Sequence, residues 1–177
     1  MILEYGCAKL RAIELKDCEL LLEMMNNSTI DKLVGNTHLP ISRENQEAWI
    51  KNYKNSQETI RLMIELSNGK TIGMVILQHI DYRNSTAEIG IKTFVRDFHD
   101  RIVNDVDNAY HALLDFAFNE LNLNCIYAYS ISDNSESIKF NRRIGFKEDG
   151  LLRNRIYTGG VYKDYIAFSM LKSEFEK

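Results

Sequence analysis

The feature of this sequence that most constrains its fold is a pair of strand-like runs joined by a tight-turn dipeptide. Residues 60–66 and 71–80 are rich in Ile, Val, Leu and Met, and the pair Asn68–Gly69 lies between them. Asn-Gly is the dipeptide that tight hairpin turns prefer, because both residues tolerate a positive φ. A second polar turn at 83–85 leads into another strand-like run at 87–93. The pattern predicts an antiparallel meander of three strands.

The segments around this meander alternate between helical and strand-like patterns. They predict a strand near Leu10, helices over 16–26 and from Ser42, a helix from Val106 to Leu121, a strand over 125–131, a helix over 134–143, and strands near 146–152 and 162–171. The last two strands flank the pair Gly159–Gly160, which predicts a hairpin turn. Helices combined with a largely antiparallel sheet predict an α/β fold of the α+β type.

Length and composition favour a single domain over residues 1–177. The chain has 177 residues, of which 45% are hydrophobic, enough for one sizeable core. No repeat, low-complexity tract or linker interrupts it. A formal net charge of −3 gives no reason to expect nucleic acid or an anionic membrane as a partner. No apolar run is long enough for a membrane span or a signal peptide, so a cytoplasmic location is expected.

The cysteine and histidine residues give no sign of a disulfide framework or a metal site. The cysteines are far apart and form no C-x-x-C motif; they are Cys7, Cys18 and Cys125. The histidines have no metal-ligand spacing with one another or with cysteine; they are His38, His79, His99 and His111. We therefore expect reduced thiols, and histidines that lie on the surface or form hydrogen bonds.

The last third of the chain contains a spaced set of residues that is similar to a known family. Asn134 and Ser137 lie at the start of the predicted helix over 134–143, and Gly145–Phe146 follow its end. The further residues of the set are Ala87–Gly90, Leu113–Phe118, Glu148, Gly150 and Arg153. The set resembles the RimJ/RimL-like branch of the GNAT N-acetyltransferases, and the resemblance extends over nearly the whole chain.

This resemblance implies a fold, a reaction and an acyl donor. The fold is the GNAT acyl-CoA N-acyltransferase fold, a mixed and largely antiparallel twisted sheet of about seven strands flanked by about four helices. The reaction is direct attack of a primary amine on acetyl-CoA, without a covalent enzyme intermediate. The implied acceptor is a protein N-terminus, a polyamine or an amino sugar, and homodimers are common in the family.

The resemblance also implies roles for individual residues. Many relatives have a tyrosine general acid at the position of Asn141, so Ser137 becomes the expected general acid. Glu88 is the expected general base, directly or through water; an equal alternative is a carboxylate paired with an arginine or a backbone group. A backbone N–H near Gly90 is the expected oxyanion donor. The residues expected to contact acetyl-CoA are Ile91, Arg101, Asn104, Val106, Asn134 and Asn141.

Several of these side chains also have structural interpretations. Asn134 precedes the predicted helix, where its side chain can cap free backbone N–H groups. Ser137 lies one turn further on, and its small side chain can pack against the next strand. Tyr157 and Tyr162 flank the Gly-Gly turn, and they either line an acceptor pocket or pack as ordinary sheet aromatics.

The predicted pyrophosphate site departs from the family pattern. The family binds the pyrophosphate with a Gln/Arg-x-x-Gly-x-Gly/Ala turn before a helix, whose N–H groups point at the phosphates. The run Arg101–Val106 stands at this position, with Asn104 and Val106 in place of the glycine and the small residue. Asn104 can take the left-handed conformation that the glycine would supply. The aspartates that crowd this region are Asp97, Asp100, Asp105 and Asp107.

This departure leaves two further hypotheses open. One is a catalytically degenerate GNAT domain that binds a ligand or a protein partner, suggested by Asn104, Val106 and Asn141 in positions where the family has other residues. The other is an acyltransferase that uses a different acyl-CoA, or that binds the cofactor in a shifted pose.

Overall fold

The computed structural model describes residues 2–35, 39–93 and 100–175, and the side chains of all of these except residues 100–103. The chain forms two compact units. The first comprises Met1–Ile13, Asn55–Tyr127 and Met170–Lys177, and the second comprises Glu14–Lys54 and Ala128–Ser169. Each unit therefore combines segments that are distant in sequence. The single domain expected over residues 1–177 stays a prediction.

A mostly antiparallel sheet forms the centre of the first unit. Its antiparallel strands lie in the order β1 (Leu3–Tyr5), β2 (Ala8–Arg11), β3 (Thr59–Leu66), β4 (Thr71–Asp81) and β5 (Thr86–Thr93). β5 also pairs in parallel with β6 (Cys125–Ile131), through residues 86–88 and 125–127. Gly69 has φ 79° in the turn between β3 and β4, and the predicted hairpin at Asn68–Gly69 is confirmed.

Helix α4 (Asp100–Asp115) packs against β1, β2 and β4 of this sheet. Its buried side chains recur every three or four residues, as expected for one packed helical face: Val106, Ala109, Tyr110, Leu113 and Leu114. A π-helical turn, Phe116–Glu120, continues α4. The short helix α6 (Lys172–Phe175) places Phe175 against Phe118, with 5.2 Å between ring centroids.

The second unit contains a group of helices and a long strand pair. After a 3-10 turn at Leu15–Asp17, its helices are α1 (Cys18–Met25), α2 (Ser28–Val34), α3 (Arg43–Asn52) and α5 (Ser135–Ile144). The antiparallel strands β7 (Lys147–Thr158) and β8 (Val161–Leu171) follow, and the strand order is β6, β8, β7. Gly159 and Gly160 have φ values of 61° and 86° between them, so the predicted hairpin is confirmed.

The predicted fold class is confirmed. Over the described ranges, the chain has eight strands, mostly antiparallel, and six α-helices. β6 has the predicted bounds, and α5 ends at Ile144, followed by Gly145, which has the φ of 106° that a helix C-terminus requires. Phe146 follows it and is buried, as expected of a core residue.

Several elements differ from the predicted ones, including the short helix α6, which was not predicted. β1 is only three residues long, and α2 has little apolar periodicity, so neither was predicted. The caps of α2 define it instead, since Asn27 accepts hydrogen bonds at its start and Gly35 is left-handed at its end. β7 continues to Thr158 rather than ending near residue 152. α4 begins at Asp100 rather than at Val106.

None of the described helices combines the length and the apolar composition that a bilayer span requires. Within the same residues, no three side chains of His, Cys, Asp or Glu are grouped as metal ligands would be. The three cysteines are free thiols.

Candidate active site

The first turn of helix α5 is fixed by Asn134. Its Oδ1 accepts a hydrogen bond from the backbone N–H of Ser137 at 3.1 Å, so the predicted helix cap is confirmed. Its Nδ2 donates to the carbonyl of Leu33, at the end of α2, at 3.1 Å. The Asn134 side chain therefore has partners at both of its polar atoms. Its contact with acetyl-CoA stays a prediction.

Ser137 belongs to a hydrogen-bonded network of two hydroxyls and one amide. Its Oγ lies 2.7 Å from Ser130 Oγ on β6. Asn141, one turn further along α5, donates through Nδ2 to Ser130 Oγ at 3.0 Å and to the Ser137 carbonyl at 3.1 Å. Ser130 and Asn141 are 2% and 3% exposed, whereas Ser137 is partly exposed. The network is therefore buried at one end and open at Ser137.

The direction of the protons in this network follows from burial. Ser130 Oγ accepts from Asn141, and because Ser130 is buried, its own hydroxyl proton needs an acceptor inside the protein. Ser137 Oγ, at 2.7 Å, is that acceptor. Ser137 then keeps its own proton for a partner on its exposed side. The network ends at a hydroxyl that can donate outward.

Asn141 lies behind Ser137 and not on the surface. Its Oδ1 is buried and has no hydrogen-bond partner among the described residues. A buried unpaired acceptor costs about 1–3 kcal/mol, so this side chain is retained at some cost in stability. The contact with acetyl-CoA expected for Asn141 stays a prediction. Its observed hydrogen bonds indicate instead that Asn141 orients the Ser130 hydroxyl.

The carboxylate of Glu88, on β5, is also held by hydrogen bonds. Gln78, which pairs with Glu88 from the adjacent strand β4, donates from Nε2 to Glu88 Oε1 at 3.1 Å. His79 Nδ1 lies 3.0 Å from Glu88 Oε2. The Glu88 side chain is 22% exposed, so the carboxylate remains accessible. The alternative of a paired carboxylate thus holds, although the recorded partners are an amide and an imidazole rather than an arginine.

The negative charge of Glu88 also affects the ionisation of a buried tyrosine, Tyr110. Tyr110 on α4 is buried, and both its burial and the negative charge of Glu88 raise the pKa of its phenol far above the ordinary value. Tyr110 is therefore protonated over the whole working pH range. It is not available as a general base.

Open space lies beside β5 two residues beyond Glu88. Gly90 shares the face of Glu88, because side chains alternate along a strand, and a Cβ built on it meets no atom of the described residues within 4 Å. Ile91 pairs with Val75 on β4 and is partly exposed. The predicted contact of Ile91 with acetyl-CoA stays a prediction. The space at Gly90 is room for a ligand to approach the strand backbone.

The turn conformation predicted at Arg101–Val106 is wrong, because these residues lie inside helix α4; phosphate binding at these residues stays a prediction. A helix leaves backbone N–H groups free only in its first turn, so those of Asn104 and Val106 lie beyond it. Asn104 is helical rather than left-handed, and Val106 is 3% exposed in the core. The apolar spacing includes Val103, which extends the helical pattern one turn earlier than predicted.

The first described turn of α4 begins at Asp100. Arg101 lies in this turn, and its side chain is outside the described residues, as is all of Asp97. Contacts of Arg101, Asn104 and Val106 with acetyl-CoA stay predictions. Asp105 does not compete for an anion, since it is buried and accepts a hydrogen bond from the thiol of Cys7.

Three residues of these networks were not predicted as site residues, namely Ser130, Gln78 and His79. Ser130 is a polar residue at a position where the alternation of β6 places buried side chains, which is a usable signal for a buried polar role. The contact of His79 with Glu88 depends on an irregularity in β4 that has no sequence signature. His79 is exposed and hydrogen-bonded, as the histidine prediction states.

The chain matches known proteins along almost its whole length. A family model described as "Acetyltransferase (GNAT) domain" matches residues 10–167. "Putative ribosomal N-acetyltransferase YdaF" of Bacillus subtilis (strain 168) is 29% identical over 172 residues, covering 94% of this chain and 92% of that protein. The spermidine N(1)-acetyltransferase of Vibrio cholerae serotype O1 is 26% identical over 174 residues, covering 94% of each protein.

Solved structures share the fold. The spermidine N-acetyltransferase from Vibrio cholerae in complex with CoA and spermine has a TM-score of 0.84 and 24% identity, covering 96% of this chain and 98% of that one. A crystal structure named "Probable acetyltransferase" has a TM-score of 0.84 and 27% identity, covering 98% of each chain.

Proposed function

This chain belongs to the GNAT acetyltransferase family and is an acetyl-CoA-dependent N-acetyltransferase, and on this premise we propose the residues of its mechanism and its acceptor. We propose that Ser137 is the general acid, that Glu88 is the general base, directly or through water, and that the acceptor is a polyamine. The observation that carries the proposal is the hydrogen-bonded network from Asn141 through Ser130 to Ser137. The hypothesis of a catalytically degenerate domain is not favoured, because the family match extends over residues 10–167.

Two features of the described residues support acetyl-CoA as the acyl donor. When bound, acetyl-CoA supplies the thioester carbon that the amine attacks and a sulfur that leaves as a thiolate. The Ser137 hydroxyl holds the proton that this sulfur requires. The open space at Gly90 gives access to the backbone of β5, where the N–H of Ile91 is the proposed oxyanion donor.

The carboxylate of Glu88 suits the role of a general base because hydrogen bonds fix its position and it is accessible to solvent. Gln78 and His79 fix its two oxygens at 3.1 and 3.0 Å, and its side chain is 22% exposed. A primary amine is largely an ammonium ion at neutral pH, so a proton must leave before the nitrogen can attack. The accessible carboxylate of Glu88 can accept this proton, either directly or through water.

The choice of a polyamine as acceptor rests on relatives and on charge. The relatives named as spermidine N(1)-acetyltransferases include those of Vibrio cholerae, at 26% identity, and of Escherichia coli (strain K12), at 22%. The formal net charge of −3 favours the approach of a polycation. A protein N-terminus is the second candidate, favoured by the name of YdaF, which is 29% identical.

The test is an acceptor panel assayed with wild-type protein and two serine variants. The panel contains spermidine, a peptide with a free α-amino group, the same peptide N-acetylated, and glucosamine. We expect the highest kcat/KM for spermidine, and a peptide preference would move the acceptor to a protein N-terminus. We expect Ser137→Ala to lower kcat by roughly 10²-fold or more, the usual contribution of a general acid.

The matched control is Ser135→Ala, on the exposed first turn of the same helix. It should leave kcat unchanged. Equal kcat values for Ser137→Ala and wild type would overturn the role of Ser137 as the acid. Because the assay follows acetyl transfer directly, that result leaves the acetyltransferase activity itself intact.

We also propose that residues 1–177 act as one catalytic domain, as a homodimer, in the cytoplasm. The family match from residue 10 to 167 includes segments of both compact units, which supports one functional domain. The homodimer follows from the family resemblance, and the three free thiols suit a reducing compartment. Analytical ultracentrifugation at micromolar concentration tests the oligomeric state, and a monomer there would contradict it.

A further inference from the structure

Two neighbouring residues of β4 contact one carboxylate, which a regular strand does not permit. Successive side chains of a strand point to opposite faces, so Gln78 and His79 would normally diverge. Both contact Glu88 instead, at 3.1 Å and 3.0 Å. The pairing of β4 with β5 shifts register between Gln78 and Asp81, and His79 has φ 52°. This bulge turns the imidazole onto the carboxylate.

The backbone conformation of His79 argues for a role beyond packing. A positive φ is uncommon outside glycine, and such residues cluster at functional sites. The His79 side chain is 68% exposed, so it fills no part of the core that would compensate for the irregularity. The observable result of the bulge is the contact between the imidazole and Glu88.

The geometry of this contact selects one tautomer of the neutral imidazole. A carboxylate accepts hydrogen bonds and cannot donate them, so His79 Nδ1 must carry the proton in the contact with Glu88 Oε2. The neutral ring then has its lone pair on Nε2, on the side away from the carboxylate. Gln78 holds the other carboxylate oxygen and keeps Glu88 in place. The result is an accessible, oriented proton acceptor.

We infer that His79 is a catalytic residue, whose Nε2 takes the proton from the acceptor ammonium while Glu88 orients the ring. This inference rests on the proposed function, and it assigns Glu88 as a positioning residue rather than as the base itself. Glu88 and His79 then work as a carboxylate–imidazole pair. In such pairs the carboxylate fixes the tautomer and stabilises the imidazolium that forms.

The protons and bonds of the reaction balance with these groups. Nε2 accepts one proton from the ammonium, which leaves a neutral amine and an imidazolium. The amine nitrogen forms a bond to the acetyl carbon, and the carbon–sulfur bond of the thioester breaks. The leaving sulfur takes a proton from Ser137, which is replaced by the second proton that the new amide nitrogen loses. The imidazolium releases the remaining proton to solvent.

The test uses His79→Gly, because glycine suits the φ of 52° and the variant should therefore fold. We expect kcat/KM with spermidine to fall at least tenfold, within the roughly 10²–10⁴-fold range of general acid–base catalysis. Added imidazole should restore a large part of the activity, since the missing side chain was exposed and leaves an accessible space. Imidazole should not restore Ser137→Ala.

A second variant separates His79 from Glu88. In Glu88→Gln the new amide can donate to Nδ1, which moves the ring proton to Nε2 and removes the lone pair. We expect a loss similar to that of His79→Gly. If Glu88 were the base by itself, His79→Gly would stay active while Glu88→Gln would not, and this pattern would overturn the inference. A loss in His79→Gly that imidazole leaves unchanged would overturn it too.

The two proposals can fail separately. Wild-type protein that acetylates spermidine, together with fully active His79→Gly, contradicts only the role of His79. Wild-type protein that acetylates no primary amine contradicts the proposed function, and the inference fails with it. Thermal unfolding of each variant, compared with wild type, confirms that the activities belong to folded protein.

Discussion

Gly90 lies two residues beyond Glu88 on the same face of β5, and the position of its absent side chain is open within the described residues. The carboxylate and the gap are thus neighbours on one strand. A glycine that no atom of the described residues requires is explained if a ligand approaches the backbone there. The proposed oxyanion donor, the N–H of Ile91, is adjacent in sequence.

We predict that Gly90→Val leaves the free protein folded but weakens the use of acetyl-CoA. The new Cβ meets no described atom within 4 Å, so the melting temperature should stay the same or rise slightly. The added side chain would occupy the space assigned to the ligand, and KM for acetyl-CoA should rise about tenfold, a loss of about 1.4 kcal/mol. Steady-state kinetics and thermal unfolding measure both effects.

Gly73→Ala is the contrasting control for this experiment. A Cβ at Gly73 would lie 2.3 Å from the carbonyl oxygen of Lys92, so this variant should lose stability. Gly90→Val with an unchanged KM would show that the space at Gly90 is not used by acetyl-CoA.

We predict that Ser130→Ala lowers both activity and stability. The variant removes the acceptor of one Asn141 N–H and the donor to Ser137. The orphaned buried N–H should cost about 1–3 kcal/mol in the free energy of unfolding, measured in urea. kcat should fall by several-fold, less than in Ser137→Ala, because the Ser137 hydroxyl is still present but no longer oriented. A kcat equal to that of wild type would contradict the orienting role.

Local signals made much of the fold predictable from the sequence. The Asn68–Gly69 turn, the alternation of β6 and the glycine after α5 each depend on residues close in the chain. The predicted start of α4 at Val106 is too late, because the apolar pattern on which it rests begins there while the helix already includes Asp100. β1 escaped prediction because three residues give too little periodicity to recognise.

The site was predictable only in part, because its contacts join distant residues. Ser137 was identified through the family resemblance, and its capping partner Asn134 through helix start rules. The contact of Ser137 with Ser130 requires α5 to lie beside β6 in space. The contact of His79 with Glu88 requires a bulge whose position depends on strand pairing. Neither contact follows from a local pattern, although the polar residue at position 130 of β6 signals a buried polar role there.

We predict that Gly35→Ala destabilises the protein more than Gly159→Ala does. Both glycines have a positive φ, 72° and 61°, so each substitution should cost about 1–2 kcal/mol in backbone strain. At Gly35 a Cβ would also lie 2.0 Å from Ile156 Cδ1 and 3.1 Å from the Tyr165 hydroxyl. At Gly159 it would meet no described atom within 4 Å. Equal losses in urea unfolding would mean that Ile156 moves aside freely.

The last prediction concerns the pH dependence of stability and His111. Burial lowers the pKa of this imidazole, and the negative charge of Asp107 opposes the shift without cancelling it. The ring is half-buried beside Tyr5 and Phe175, with centroid distances of 5.5 and 6.1 Å. The folded state therefore resists protonation of His111 more than the unfolded state does. The contribution of neutral His111 to the free energy of unfolding is fully present above the pKa of about 6.5 that the ring has in the unfolded state, and it is lost as the pH falls below that value.

His111→Phe retains the ring contacts and removes the titration. Because carboxylates and other histidines titrate in both proteins, the comparison isolates His111. Urea unfolding at pH 7.5 and 5.5 should show a larger loss of stability in wild type than in the variant. The difference should have this sign because the unfolded state binds the extra proton, which lowers its free energy relative to the folded state. An equal loss in the two proteins would mean that the surroundings of His111 leave its protonation unchanged on folding.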